Sequence, residues 1–242
     1  MIKYLSGELY RLFHKKSMYI YFAALAAGYI FISYIRSGGF KEQSVMSDAS
    51  TFFNFLPALA GGFLFSAIYT DDLNSKNLIT LIGFGMSKTK IIASKLILMA
   101  LLGIIVFGLA PLFHCAVYSV MGCPASPNML SMIYTVSLKY LLMTLAFTTL
   151  SGIVVYGTQR TTFSFVMFIL LAFGVISGLI MTALNTFSPA LANFLISGIT
   201  DKIINAVTGS GSLAAPVIQY ILYVVIAAAL SALAFNKKEM EF

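Results

Sequence analysis

Six stretches of this chain are apolar for long enough to cross a bilayer, and that pattern limits the possible folds more than any other feature. A hydrocarbon core of roughly 30 Å needs about 20 apolar residues in helical form. Residues 17–35, 51–70, 91–120, 133–156, 163–184 and 213–235 meet that length. With 60% hydrophobic and 10% charged residues among 242, and a mean hydropathy of +0.94, little is left for a soluble domain. A backbone in lipid must satisfy its N–H and C=O groups internally, and segments this long do so as helices. The sequence therefore predicts an all-α integral membrane protein, one domain over residues 1–242 with six transmembrane helices.

Positive charge is retained on the cytoplasmic side of a membrane, so the 15 Lys and Arg residues set the orientation. With the N-terminus inside, Lys3, Arg11, Lys15, Lys16, Lys76, Lys88, Lys90, Lys95, Arg160, Lys237 and Lys238 are cytoplasmic, and only Arg36, Lys41, Lys139 and Lys202 are outside. Both termini are expected in the cytoplasm. The net charge of +7 then acts as a topogenic signal and an attraction to anionic lipid head groups. Nucleic-acid binding is not expected, because no basic patch is interleaved with stacking aromatics. The first apolar run is followed by Arg36, Ser37, Gly38, Gly39 and Phe40, without a small-residue cleavage site, and reads as a retained span.

Residues 1–16 read as an amphipathic interface helix. Ile2, Leu5, Leu9, Leu12 and Phe13 recur every three or four positions, with Lys3, Glu8, Arg11 and Lys15 between them. The second span holds Asn54, Pro57, Gly61 and Gly62, which serve either close helix packing or a pathway or dimer interface. Gly174 and Gly178 give the fifth span a small-xxx-small spacing that suits packing. The third run, about 45 Å at helical rise, exceeds the bilayer core and contains Pro111, a kink candidate. Between the fifth and sixth spans, residues 185–212 carry Asp201 and Lys202, each costing about 2.5–3.5 kcal/mol at membrane depth. They are expected to form outer interfacial or re-entrant helices, with Gly209, Ser210 and Gly211 as a hinge.

Groups able to perform chemistry are scarce. GFGMSKTK, residues 83–90, lacks the second glycine of a phosphate loop before Lys88. His114 beside Cys115 supplies two neighbouring ligands where a metal site needs more, so His114 is expected to pack in its span and no metal is expected. His14 reads as an interfacial group. Cys115 and Cys123, eight residues apart, would lie about 12 Å apart on one helix, beyond the roughly 7 Å limit for bridged Cα atoms. No span shows paired carboxylates, which disfavours an intramembrane enzyme or a proton-driven carrier. Lys139, about two turns into the fourth span, either snorkels to the outer interface or faces a cavity.

One polar interruption stands out. Residues 71–95, DDLNSKNLITLIGFGMSKTKIIASK, separate the second and third spans where a short turn would suffice, and Leu78, Ile79, Leu81 and Ile82 suggest a short amphipathic helix within them. The order is an amphipathic lead-in, two spans, Asp71 and Asp72, a short apolar helix, then Gly85, Ser87, Lys88, and Lys95 entering a long third span. It resembles the type 2 ATP-binding-cassette (ABC) exporter permeases. The likeness covers the whole chain in layout and concentrates at residues 69–95; Met86 and Lys88 stand where that family often has Pro and Arg.

The resemblance implies a half-size permease in a bacterial cytoplasmic membrane, paired with an identical or related permease and with two copies of a separate ATPase. ATP and magnesium would sit on that ATPase, and this chain would bind no cofactor. Asn77, Leu78, Ile79, Thr80, Leu81, Ile82 and Gly83 would form a coupling helix in a cleft of the ATPase, with Thr158, Gln159 and Arg160 as a second contact. Asn54, Pro57 and Lys139 would belong to the substrate pathway. Permeases of this size with so little outer domain resemble those that export amphipathic peptides, including lantibiotics and toxins. An ATP-independent channel or carrier, or an ABC exporter of a lipid, drug or ion, remains the alternative.

Overall fold

The computed structural model describes residues 2–41, 44–70, 77–124, 126–187, 194–209 and 211–237. The described residues contain helices and connecting turns and no strand. In chain order the helices are α1 (Ile2–Phe13), α2 (Lys16–Ser37), α3 (Val45–Thr70), α4 (Asn77–Gly83), α5 (Lys88–Val120), α6 (Pro127–Thr158), α7 (Thr161–Ala172), α8 (Val175–Phe187), α9 (Ile196–Val207) and α10 (Ala214–Lys237). Five of them, α2, α3, α5, α6 and α10, have the length and apolarity of membrane spans. The pair α7 and α8 makes a sixth if counted as one broken span.

Local chemistry explains the boundaries. Gly38 takes the left-handed conformation that ends α2, its N–H reaching back to Ile35 O. Pro127 opens α6, where its missing N–H costs nothing, and the preceding Ser126 accepts a hydrogen bond from the Met129 amide. Gln159 closes that helix with φ of 54° and its N–H on Val155 O. Pro111 lies inside α5, which runs through it from Lys88 to Val120.

Helix α6 is the central post, packing against α10, α5, α7, α9 and α3. Ring and hydrogen-bond contacts define two ends of the bundle. At the near end, Tyr156 of α6 meets Phe235 of α10 at 4.8 Å and Tyr69 of α3 at 6.3 Å between centroids, and α1 packs on the start of α5. Both termini of the described chain lie there. At the far end, Phe40 meets the Tyr118 ring and its carbonyl accepts from Cys123 Sγ. One buried cluster, with Phe65, Ile68, Leu98, Phe147, Tyr156 and Phe235, fills the near half. A second, with Tyr29, Phe53, Leu56, Phe107, Tyr118 and Ile133, fills the far half.

Two expectations need revising. The second apolar helix begins at Val45 and not at 51, because Asp48 is buried and partnered and its polar first turns join the bundle. The fifth run is not a straight span. It bends by 60° between α7 and α8 at Gly174, whose φ of 73° suits a residue without Cβ. The Gly174 amide bonds Leu171 O as α7 ends, and Gly174 O accepts from the Gly178 amide as α8 begins. The small-xxx-small spacing therefore marks a break and not a packing stripe; a Cβ on Gly178 would meet nothing within 4 Å. Close helix approach occurs instead at Gly61, where a Cβ would lie 2.8 Å from Thr144 Cγ2.

Candidate functional site

The far half holds a polar cluster that the sequence does not announce. Asp48, in the first turn of α3, is buried, and its Oδ1 lies 3.3 Å from Arg36 Nε on α2. Its other oxygen accepts the Tyr118 hydroxyl from α5. One turn before Tyr118, His114 is fully buried: its Nε2–H donates to Val45 O at 3.1 Å, and its Nδ1 accepts the Tyr29 hydroxyl. A carbonyl can only accept, so the Val45 bond fixes which ring nitrogen carries the proton. Buried charge persists only when paired and hydrogen-bonded, and here three helices share the task. The expected packed histidine is present, and the carboxylate beside it, Asp48, lies just ahead of the apolar run at residues 51–70.

Arg36 and Asp48 stand at one end of a groove between α2 and α3 with a volume of about 540 Å³. Its walls carry Tyr21, Leu25, Gly28, Phe52, Phe55 and Leu59, and among the described residues only α2 and α3 line it. Tyr21 closes the opposite end by donating to Leu59 O at 2.9 Å while stacking on Phe63 at 4.1 Å. Pro57 begins a π-helical turn over Pro57–Gly61 in the α3 wall. Proline cannot bond the preceding turn, and a widened turn is one way a helix absorbs that loss. Asn54, exposed, accepts from the Tyr140 hydroxyl at 3.1 Å and links α3 to α6.

Lys139 neither stands alone nor lines this groove: its Nζ lies 2.5 Å from Asp201 Oδ1 on α9. Asp201 therefore attaches the amphipathic α9 to the post, with Ile196, Ile199 and Ile203 of α9 buried below. The expected outer segment contains this one described helix; residues 188–193 lie outside the described residues.

At the near end two lysines on the first turns of α5 close the ends of other helices. The Lys88 ammonium donates to Phe235 O of α10 at 2.8 Å, and the Lys95 ammonium donates to Ile68 O of α3 at 2.9 Å. Both carbonyls lie in last helical turns, which lack intrahelical donors and carry the negative pole. Lys95 is fully buried and also lies 3.6 Å from Glu8 of α1, itself 2.7 Å from Arg11. Lys95 thus ties α1, α3 and α5 together.

Residues 77–83 form helix α4 as expected. Thr80 and Gly83 are exposed, while Leu81 and Ile82 are half-buried, Ile82 against the near cluster. The side chains of Asn77, Leu78 and Ile79 lie outside the described residues, as do Asp71 and Asp72. The turn at Thr158, Gln159 and Arg160 lies at this same end. Thr158 Oγ1 donates to Val154 O and accepts from the Arg160 amide, and Arg160 is exposed. Among the described residues no group of three or more His, Cys, Asp or Glu could hold a metal, and Cys115 and Cys123 are free thiols. No known family model and no curated protein matches this sequence.

Proposed function

We propose that this chain is the membrane-spanning permease subunit of an ATP-driven exporter, carrying an amphipathic or antimicrobial peptide, or another hydrophobic substrate, out of the cell. The observation that carries the reading is helix α4 at the end holding both termini. It sits between two span-length helices and leads into α5, whose first turns bond the ends of α3 and α10. A partner that moves α4 would move a rigid assembly, which is how mechanical work passes between sites. On this reading the near end is cytoplasmic, two copies of a separate ATPase dock on α4 and on the turn at Thr158, Gln159 and Arg160, and a second permease completes the pore. ATP and magnesium belong to the ATPase.

The test is copurification of an ATPase, read as nucleotide hydrolysis, with the full chain from its native membrane. Changing Leu78→Asp together with Leu81→Asp is expected to abolish the associated hydrolysis while the permease remains in the membrane at normal level. An ATPase that stays bound would remove the docking assignment.

One observation favours a second reading. A buried Asp48 with His114, Tyr29 and Arg36 around it is the kind of intramembrane ionisable group that ion-coupled carriers use. Transport by the purified chain in ATPase-free vesicles would support it.

A further inference from the structure

The groove between α2 and α3 is apolar along most of its length and carries an accessible charge at one end. The charged residues among its walls are Arg36 and Asp48. Asp48 is 5% exposed and already holds the Tyr118 hydroxyl, whereas the Arg36 side chain is 43% exposed with Nε turned to Asp48. A guanidinium carries five donors in a planar fork, so one contact through Nε leaves it able to bind an oxyanion. The Tyr29 and Thr51 hydroxyls of the groove wall already donate to His114 Nδ1 and Ser47 O, so the guanidinium is the donor an anion would meet there. Toward the other end the walls are Leu25, Gly28, Phe52, Phe55 and Leu59, and the one hydroxyl there, on Tyr21, is committed to Leu59 O. A peptide backbone laid in this part would leave its amides unbonded, at a cost of a few kcal/mol each. A hydrocarbon chain would leave nothing unbonded.

Length points the same way. From Tyr21 to Arg36 the groove follows fifteen residues of α2, about 22 Å at helical rise. One leaflet contributes about 15 Å of a hydrocarbon core near 30 Å. From Arg36 the midplane falls about ten residues along α2, near Ala26, so a chain that starts at head-group level beside Arg36 runs past Gly28 and ends beside Leu25, short of Tyr21.

We propose that this groove is a phospholipid site, with an acyl chain between α2 and α3 and the phosphodiester on the Arg36 guanidinium. The site holds whether or not the chain works with an ATPase, since it requires only that the helices lie in a bilayer.

Gly28 supplies the decisive variant. It lines the groove, and a Cβ placed on it meets nothing within 4 Å, so the side chain of Gly28→Phe starts into open groove space. Gly178→Phe, at another glycine whose Cβ meets nothing, is the matched control. The full-length protein is reconstituted in phosphatidylethanolamine and phosphatidylglycerol vesicles containing phosphatidylglycerol with a mid-chain diazirine, irradiated, and its adducts mapped. Wild type is expected to concentrate label on residues 25–32 and 52–59. Gly28→Phe and Arg36→Gln are each expected to lower it about tenfold, the loss of about 1.4 kcal/mol of binding, while Gly178→Phe leaves it unchanged. Label spread evenly over the exposed faces of α2 and α10, or unchanged in Gly28→Phe, would overturn the site. So would a copy-to-copy disulfide through Gly28→Cys, made with Cys115→Ala and Cys123→Ala, because the groove would then belong to a second protomer.

Discussion

Lys95 shows how much one side chain can do in a bundle of this kind. Lysine is rarely buried without partners, and here a carbonyl of α3 and a carboxylate of α1 receive its charge. Lys95→Met keeps the bulk but leaves Glu8 and Ile68 O without that partner, and is expected to cost about 3–5 kcal/mol, read as a lowered unfolding midpoint in detergent. Asp48→Asn, which removes a charge held by Arg36 and Tyr118, is expected to cost about 1–3 kcal/mol in the same assay. Glycines divide by surroundings: Gly61→Ala drives a methyl to 2.8 Å from Thr144 and should cost about 1–3 kcal/mol, whereas Gly28→Ala enters open space and should be near neutral. The sequence made the polar residues visible but not their pairings. Asp48 and Tyr118 are 70 positions apart, and a count of charges along the chain orients helices without saying which ones meet.

Among the elements, the spans were legible because length and apolarity suffice to specify a helix in lipid. What escaped was where a helix bends or begins. Gly174 lies in a continuous apolar run, so hydropathy records no break there, and the break depends on its left-handed backbone. Gly174→Ala forces a Cβ into that conformation at about 1–2 kcal/mol. It is expected to straighten the α7 and α8 pair, seen as an increased distance between spin labels introduced by Phe163→Cys and Thr182→Cys. Helix α9 was anticipated as an outer segment, but its tie to the post was not. Lys139 and Asp201 were each read alone, one as snorkelling or cavity-facing and one as a depth penalty, and together they form a contact. Both are partly solvent-exposed, so a double-mutant cycle with Lys139→Ala and Asp201→Ala should return a coupling of only about 0.2–1 kcal/mol.

At the scale of the whole molecule, α2 and α10 keep broad apolar faces that only lipid or another protein could solvate, among them Ile20, Phe31, Ile218 and Val225. Reporter fusions after residues 1 and 237 are expected on the same membrane side, and a cysteine at Lys41 on the opposite side. A split between the two fusions would contradict the even number of crossings. The two α5 lysines carry a further consequence. Because α1, α3 and α10 are fastened to its opening turns, a displacement delivered to α5 cannot stop at one helix. On the proposed exporter reading, fluorophores near the two ends of the described chain would therefore gauge the stroke, their energy transfer shifting once per cycle.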